Sequence, residues 1–229
     1  MENNLIDSTM QSRINNIRQQ IQTLRKDDQH VLLVAVSKTC PIEQIELAYN
    51  FGIKDFGENK VNELLNKIQS TSLPINWHFI GHLQTNKVKY IVGKVVLIHS
   101  VDSIKLLQEI EKESKKKNIE SEVLLQINVS GEKTKYGFKI DEINDIINIS
   151  KNLFYTKIVG LMTMAPFEAD TESLKDIFNR LHEKFIDMSR EKSDNINMKI
   201  LSMGMSGDYK EAILSGSNCV RIGSYIFKG

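Results

Sequence analysis

The stretch VLLVAVSKTCP, residues 31–41, indicates how the fold begins. Its first part, residues 31–37, is apolar throughout and ends in a serine, so it predicts a strand buried on both faces, as in a parallel sheet. A polar turn then starts at Lys38, where a dinucleotide-binding protein would carry the pattern G-x-G-x-x-G. The first strand therefore argues against a dinucleotide-binding open sheet and leaves a closed barrel as the better prediction.

Seven further runs of mostly apolar residues follow along the chain. Segments with helical periodicity separate them, such as the apolar face over residues 61–68. This alternation predicts right-handed βαβ units, and a count of eight strands favours a TIM-type (β/α)8 barrel. We predict a single α/β domain over residues 1–229, with the barrel at 31–227. The seven runs are IKDF (53–56), WHFI (77–80), VVLI (95–98), VLLQINV (123–129), KIVGLM (157–162), KILSM (199–203) and CVRI (219–222).

An extra amphipathic helix is predicted before the first strand, within residues 1–28. The apolar residues on one of its faces are Met10, Ile14, Ile17, Ile21 and Leu24. The chain continues for only seven residues after the last predicted strand, which is too short for a full eighth helix. We therefore expect the N-terminal helix to cover part of the outside or one end of the barrel.

The composition excludes several classes of protein. Lys and Arg number 30 against 29 Asp and Glu, and this net charge of +1 argues against general nucleic-acid or membrane-surface binding. The two cysteines, Cys40 and Cys219, are too few for a disulfide framework or a zinc cluster and suit a reducing compartment. The N-terminal residues are polar and do not form the apolar stretch typical of a signal peptide, and no run approaches the ~18 apolar residues of a membrane helix. We expect a cytoplasmic protein without nucleic-acid or membrane partners.

Small and polar residues gather where the predicted strands end, which in such a barrel is the rim that carries function. Lys38 follows the first strand directly. A lysine beside apolar walls loses solvation, and this favours the neutral amine that attacks a carbonyl group. The alternative is a charged lysine at the rim that pairs with Glu58.

The segments after the last two strands predict a phosphate site. Ser206 and Gly207 open the helix after the seventh strand, where backbone N–H groups and the helix dipole favour an anion. Gly223 and Ser224 would close the other side of the site. The alternative is a capped helix with a tight turn. Together with Lys38, such a cradle indicates a phosphorylated carbonyl ligand.

Three more side chains are predicted to face the ligand. Arg221 shares a strand face with Cys219 and Gly223, and a guanidinium there would keep a pyridine nitrogen unprotonated because it can only donate hydrogen bonds. His82 is predicted as a cofactor contact, with a structural histidine bonded to the backbone as the alternative. Met203 is predicted to line the face of the ligand ring, with packing in the barrel core as the alternative.

Seven motifs together resemble a known family. They are VSKT (36–39), GEN (57–59), HFIGHLQTNK (78–87), NVSGEK (128–133), GLMTMAP (160–166), SMGMSGD (202–208) and VRIGS (220–224). Their order and spacing are similar to those of the pyridoxal phosphate homeostasis proteins, single-domain relatives of the alanine racemase N-terminal barrel. Two departures are Tyr136, where relatives commonly carry histidine, and a short C-terminus, which bears on how the barrel mouth is covered.

The resemblance implies a barrel that binds pyridoxal 5′-phosphate (PLP) as a Schiff base on Lys38. The other matching residues are Ser206, Gly207, Gly223 and Ser224 at the phosphate, Arg221 at the pyridine nitrogen and Asn59 near the ring hydroxyl. The family is regarded as non-enzymatic and as buffering or delivering the cofactor.

We therefore predict a PLP carrier of intracellular cofactor homeostasis, without robust catalysis, that contacts apo PLP enzymes transiently. A monomer is expected because no exposed apolar stripe argues for an obligate dimer. One alternative is a small PLP-dependent amino-acid racemase using Lys38 and His82, since a racemase needs an acid–base group on each face of the substrate α-carbon. Another is a sugar-phosphate aldolase that uses Lys38 without PLP.

Overall fold

The barrel expected from the sequence is confirmed in a computed structural model. The described residues are 2–26, 28–132, 135–166, 168–190 and 193–228, with side chains from residue 9 onward. Within them, eight parallel strands form a closed barrel in chain order. The strands are β1 (Leu32–Val36), β2 (Asp55–Glu58), β3 (Asn76–Phe79), β4 (Leu97–Val101), β5 (Ser121–Gln126), β6 (Thr156–Met162), β7 (Ile196–Ser202) and β8 (Cys219–Ile222).

Pairing between the first and last strands closes the barrel. Leu32 lies opposite Cys219, and the register continues to Ala35 opposite Ile222. Helices follow the strands on the outside. Those in the described chain are α1 (Glu2–Leu24), α2 (Ile42–Asn50), α3 (Val61–Ser70), α4 (Val88–Ile91), α5 (Ile104–Lys117), α6 (Ile143–Ser150), α7 (Thr171–Met188), α8 (Tyr209–Leu214) and α9 (Ser224–Phe227). None of these helices is both long and apolar enough to cross a bilayer.

The N-terminal helix α1 packs on the outside of the barrel, where the first and last strands meet. Its apolar face, which includes Met10, Ile14 and Ile17, is buried. The helix contacts α2, α8 and α9. Arg18 Nη1 donates to the Phe51 carbonyl at 2.8 Å, which ties α1 to the end of α2. The expected cover on the outside of the barrel is therefore present.

Two apolar clusters stabilise the barrel. The larger one lies between the strands and the surrounding helices and contains the buried rings of Phe56, Phe79 and Phe178. A smaller cluster fills part of the barrel interior, with Leu97 and Leu124 among its members. Because side chains alternate along a strand, the residues two positions after the members of this smaller cluster also face the interior, closer to the carboxyl ends of the strands. This second part of the interior is lined by polar side chains, and it leads to the candidate site.

The fifth strand ends three residues earlier than the apolar run 123–129 predicts. The Asn128 N–H donates to the Phe138 carbonyl at 2.9 Å, and the Phe138 N–H donates back to the Gln126 carbonyl at 2.9 Å. The chain after Gln126 therefore pairs with its own returning loop and leaves the sheet. Lys133, at the end of the NVSGEK motif, lies outside the described residues.

Candidate functional site

The turn after β1 presents Lys38 at the barrel rim. Lys38 is exposed, so the apolar walls expected around its ammonium group are not present. The alternative pairing with Glu58 is also absent among the described contacts, because Glu58 bonds to Lys67 at 2.8 Å. Thr39 follows with a φ of 64°, a left-handed conformation that is uncommon for a β-branched residue. Such strain persists where the surroundings hold the backbone in place.

A buried lysine on α3 holds this turn. Lys67 Nζ donates to the Ser37 carbonyl and to Glu58 Oε1, both at 2.8 Å, and to Glu63 Oε1 at 2.7 Å. The same Glu63 oxygen accepts from the Thr39 N–H at 2.6 Å, and Ser37 Oγ donates to Glu58 Oε1 at 2.5 Å. These contacts hold the backbone on both sides of Lys38, while its own side chain is exposed.

Burial and hydrogen bonding act in opposite directions on the two carboxylates of this cluster. Burial raises the pKa of Glu58, although hydrogen bonds from Lys67 and Ser37 partly oppose the rise. Burial alone would also raise the pKa of Glu63, but hydrogen bonds from Lys67 and the Thr39 amide lower it on balance. Lys67 therefore compensates the charge of both carboxylates, and sequence reasoning did not identify it.

The segment after β7 forms one side of the expected phosphate cradle. The Met205 N–H donates to Asp208 Oδ1 at 2.5 Å, and the Asp208 N–H donates to the Met205 carbonyl at 3.2 Å. These bonds leave the N–H groups of Ser206 and Gly207 at the tip of the turn, with no acceptor among the described residues. Burial raises the pKa of Asp208, while the Met205 N–H and the charge of Arg221 lower it.

The segment after β8 forms the other side. The Ile226 and Phe227 N–H groups donate to the Gly223 carbonyl. The N–H groups of Ser224 and Tyr225, directly before them in the chain, have no acceptor within the described chain. The Gly223 N–H donates to Ser206 Oγ at 3.3 Å, which joins the two segments. The structure therefore brings together the four residues that the sequence predicted for the phosphate site.

The two glycines of this cradle serve different purposes. A Cβ added to Gly207 would meet no atom within 4 Å, so packing inside the protein does not require glycine there. The open space above Gly207 would admit a ligand to its N–H group. A Cβ on Gly223 would lie 2.8 Å from the Val36 carbonyl oxygen, so the close approach of β1 to β8 excludes any larger residue.

Asn59, at the end of β2, offers an unpaired polar atom. Its Oδ1 is buried and has no hydrogen-bond partner among the described residues. A buried polar group without a partner costs free energy, and a bound ligand that donates a hydrogen bond would remove that cost. Asn59 therefore fits a cofactor hydroxyl group at this position.

Arg221 is fully buried in the barrel interior, near the carboxyl ends of β7 and β8. Its Nη1 donates to the Ser202 carbonyl at 3.0 Å and to Ser202 Oγ, while Nη2 donates to the Thr163 carbonyl at 2.8 Å. Burial lowers the pKa of Arg221, but a guanidinium group remains protonated in proteins. Three of its five N–H groups are thus used within the described chain, and the other two can reach a ligand.

A histidine pair continues this polar interior across the barrel. His99 Nδ1 lies 3.0 Å from Ser202 Oγ, and His99 Nε2 lies 2.9 Å from His78 Nδ1. His78 Nε2 in turn lies 3.1 Å from Asp55 Oδ1. Both rings are buried, and burial, the neighbouring His78 and the charge of Arg221 lower the pKa of His99 well below its usual 6.5.

His82 lies at the end of β3, with its side chain 41% exposed. Its Nδ1 is 2.8 Å from Asp102 Oδ2, and its ring stacks on Tyr136 with centroids 4.0 Å apart. The bond to a carboxylate differs from the backbone bond expected of a structural histidine. With Nδ1–H donating a hydrogen bond to the Asp102 carboxylate, the Nε2 atom of a neutral ring would carry a lone pair toward solvent.

The position of Met203 does not support the predicted contact with the ligand ring. Met203 is fully buried and belongs to the larger apolar cluster between the strands and the helices. Its neighbour Ser202 faces the interior, so alternation along the strand directs Met203 outward. The packing role that the sequence left as the alternative accounts for this residue.

A cavity of about 1010 Å³ opens beside Lys38, between the ends of the first three strands. Asn59 and His82 both line it, together with Thr39, Cys40 and Lys67. The phosphate-cradle residues do not line this cavity. The ligand is indicated more specifically by polar groups than by this cavity. These are the free N–H groups of the cradle, the unpaired Oδ1 of Asn59 and the unused donors of Arg221.

Comparison with known proteins gives consistent relationships. A family model described as "Alanine racemase, N-terminal domain" matches residues 12–229. A pyridoxal phosphate homeostasis protein of Aquifex aeolicus is 44% identical over 196 residues, which is 85% of each chain. Its namesake in Pseudomonas aeruginosa is 36% identical over 212 residues, 92% of this chain and 90% of that one.

Solved structures show the same fold. PipY of Synechococcus elongatus without PLP is 28% identical with a TM-score of 0.87, covering 95% of this chain and 99% of that one. The same protein with PLP bound gives 26% identity and a TM-score of 0.83 over the same shares of both chains. An alanine racemase of Clostridium difficile is 15% identical with a TM-score of 0.76, over 96% of this chain and 59% of that one, which shows the fold alone.

Proposed function

Because the chain belongs to the alanine racemase N-terminal domain family, within the group named pyridoxal phosphate homeostasis proteins, we propose that it binds PLP reversibly and takes part in its homeostasis and delivery. Lys38 forms the Schiff base, and the protein has no robust catalysis of its own. The observation that carries this proposal is the cradle of unpaired N–H groups after β7 and β8, next to the buried guanidinium of Arg221. When bound, PLP supplies an aldehyde and an electron-accepting ring.

The cradle would hold the cofactor by its phosphate. The N–H groups of Ser206, Gly207, Ser224 and Tyr225 lie at two adjacent turns and have no acceptor in the described chain. Hydrogen bonds from such groups to an anion are charge-assisted and about twice as strong as neutral ones. Phosphate binding can therefore retain the cofactor when its bond to Lys38 is broken.

The exposure of Lys38 favours a carrier. A Schiff base forms when Nζ attacks an aldehyde carbon and one water molecule is lost, and water or another amine can reverse this reaction. Lys38 is open to solvent, so this reversal is not hindered by burial. A cofactor held in this way can be released to an acceptor enzyme during a transient contact.

Arg221 argues against strong catalysis at the ring. One of its two unused N–H groups would donate to the lone pair of the pyridine nitrogen and keep that nitrogen unprotonated, because an arginine has no proton acceptor. An unprotonated ring withdraws electrons from a substrate less effectively. Asn59 would accept the hydrogen bond of the ring hydroxyl through the buried Oδ1 that now lacks a partner.

The cellular setting follows from the same proposal. We expect a cytoplasmic monomer that contacts apo PLP enzymes only briefly, because stable association would slow the delivery of cofactor. Size-exclusion chromatography with light scattering would test the monomer, and a molar mass of twice 26.2 kDa would contradict it.

A reductive labelling experiment tests the proposal. The purified protein should absorb in the visible range after addition of PLP, and borohydride should fix a pyridoxyl group on Lys38. Lys38→Ala should lose the covalent label and keep part of the affinity through the cradle, whereas the matched exposed variant Lys60→Ala should keep both. A wild-type protein that stays colourless and unlabelled in excess PLP would overturn the proposal.

A second candidate is a small amino-acid racemase that uses Lys38 and His82. The observation in its favour is the Asp102–His82 pair, which leaves Nε2 of His82 as an exposed base. Rapid racemisation of a common amino acid by the PLP-loaded protein, lost in His82→Ala, would establish this candidate. Turnover that is absent, or unchanged in His82→Ala, would count against it.

A further inference from the structure

A continuous row of polar side chains crosses the barrel interior and ends at Arg221. Asp55, His78, His99 and Ser202 lie on four different strands, and each is within 3.1 Å of the next. Ser202 then accepts from Arg221 Nη1. The histidines and Ser202 are buried, while the Asp55 side chain is 19% exposed at the start of β2. The row therefore runs from near one end of the barrel to the candidate ligand site.

With both imidazole rings neutral, the chemistry of the two ends gives every bond in this row one direction. Arg221 can only donate, so Ser202 Oγ must accept from it. The hydroxyl proton of Ser202 then has two acceptors in reach, the Cys219 thiol and His99 Nδ1, and when it points to His99 that Nδ1 is unprotonated. A neutral His99 consequently carries its proton on Nε2 and donates to His78.

The same reasoning continues to Asp55. His78 accepts at Nδ1, so its own proton is on Nε2, and this N–H donates to the Asp55 carboxylate. A carboxylate can only accept, so the second end agrees with the direction set by the first. With both rings neutral, reversing a single bond would place two donors or two acceptors face to face.

Burial and the charge of the nearby Arg221 favour a neutral His99. Arg221 and Cys219 face this interior from β8, Asp208 approaches Arg221 after β7, and Asp55 lies at the far end. Burial raises the pKa of the Cys219 thiol to about 11, so it contributes no charge at neutral pH. The positive charge of Arg221 therefore acts on His99, and the neutral Cys219 thiol does not offset it.

We propose that Asp55, His78, His99 and Ser202 are positioning residues that hold the Arg221 guanidinium in place through a one-directional hydrogen-bond relay, with both histidines neutral and protonated on Nε2. Three of the five guanidinium N–H groups are fixed by Ser202 and the Thr163 carbonyl, and the relay fixes Ser202 in turn. The expected effect of this relay on PLP binding rests on the proposed function, whereas the protonation pattern of the two histidines does not.

Nuclear magnetic resonance of the cofactor-free protein tests the protonation pattern directly. Long-range ¹H–¹⁵N spectra distinguish the two neutral imidazole forms and the charged one. We expect both His78 and His99 as Nε2–H forms at pH 7, with His99 still neutral at pH 6. An Nδ1–H form or a charged ring at either position would overturn the relay.

Variants at His99 test the effect on the cofactor. His99→Phe removes the acceptor for Ser202 and the donor to His78, and we expect PLP affinity to fall roughly tenfold, the effect of one lost hydrogen bond to a charged group. The absorption maximum of bound PLP should also shift, because Arg221 is no longer fixed. His99→Gln, which carries one donor and one acceptor, should restore part of both, and His30→Gln should change neither.

Ser202→Ala provides a second break in the relay if His99→Phe does not fold. It removes the Oγ link and leaves the Ser202 carbonyl to bond Arg221, so the same fall in affinity and shift in absorption are expected. Wild-type affinity and spectrum in both breaking variants would overturn the positioning role. A wild-type protein that binds no PLP would instead overturn the proposed function, while the spectra of the histidines would still decide the relay.

Discussion

Replacing Lys67 by methionine should destabilise the protein strongly at neutral pH. Lys67 is nearly buried and makes three hydrogen bonds, one of them to Glu58, whose side chain is fully buried. Methionine fills similar space but leaves Glu58 as an unpaired buried carboxylate. Removing one partner of such a pair costs about 3–5 kcal/mol, and we expect the lower end because Glu63 is partly hydrated.

The deficit should depend on pH in a defined direction. Burial already raises the pKa of Glu58 above 4.5, and loss of Lys67 would raise it further. A carboxyl group whose pKa is higher in the folded state makes folding more favourable at low pH, and this advantage is lost as the pH rises through the folded value. The difference between wild type and Lys67→Met should therefore be largest at pH 7 and shrink as the solution is acidified toward pH 4.5.

Urea unfolding of both proteins at pH 7 and pH 5 measures this difference. The matched control is Lys112→Met, which removes an exposed ion pair with Glu109 and should leave the unfolding midpoint unchanged. The double variant Lys67→Met with Glu58→Gln should recover much of the lost stability, because the buried charge is gone. A loss below about 1 kcal/mol at pH 7, or a loss that does not vary with pH, would refute the reasoning.

Two further predictions concern the cradle and the cysteines. Gly207→Val should leave the thermal midpoint unchanged but lower PLP affinity by about tenfold or more, because its side chain enters open space where the phosphate would lie; equal affinity in a binding titration would contradict the cradle. Burial raises the pKa of the Cys40 thiol to about 11, so its alkylation at pH 8 should be about a hundredfold slower than that of glutathione, as followed by mass spectrometry. Alkylation at the glutathione rate would contradict this environment.

The parts of the site that lie in consecutive residues could be predicted from the sequence. Ser206 and Gly207 come directly after β7, and Gly223 and Ser224 come directly after β8. In a parallel barrel the carboxyl ends of neighbouring strands meet at the same rim, so their proximity follows from the fold. The same logic placed Lys38 and Asn59 at the mouth, but it did not predict that Lys38 would be exposed.

The networks that connect distant strands could not be predicted in this way. Lys67 lies on an amphipathic helix, where a lysine is normally solvated, and its burial depends on Ser37, which is 30 residues away in the sequence. A histidine within the run WHFI was a sign of a buried polar partner. Its identity required the closed barrel, since His99 and Ser202 are 103 residues apart and meet only across the interior.

The two networks hold different parts of the mouth in different ways, and this difference bears on the proposed function. Lys67 fixes the backbone around Lys38 but leaves its side chain exposed, whereas the interior row fixes the Arg221 side chain itself. Groups that are held rigidly lose little entropy on binding, so the cradle and Arg221 can supply most of the affinity for PLP. The covalent bond at Lys38 can then be weak enough to reverse in water. A catalyst would instead need the reacting carbon enclosed, with acid–base groups fixed on both of its faces.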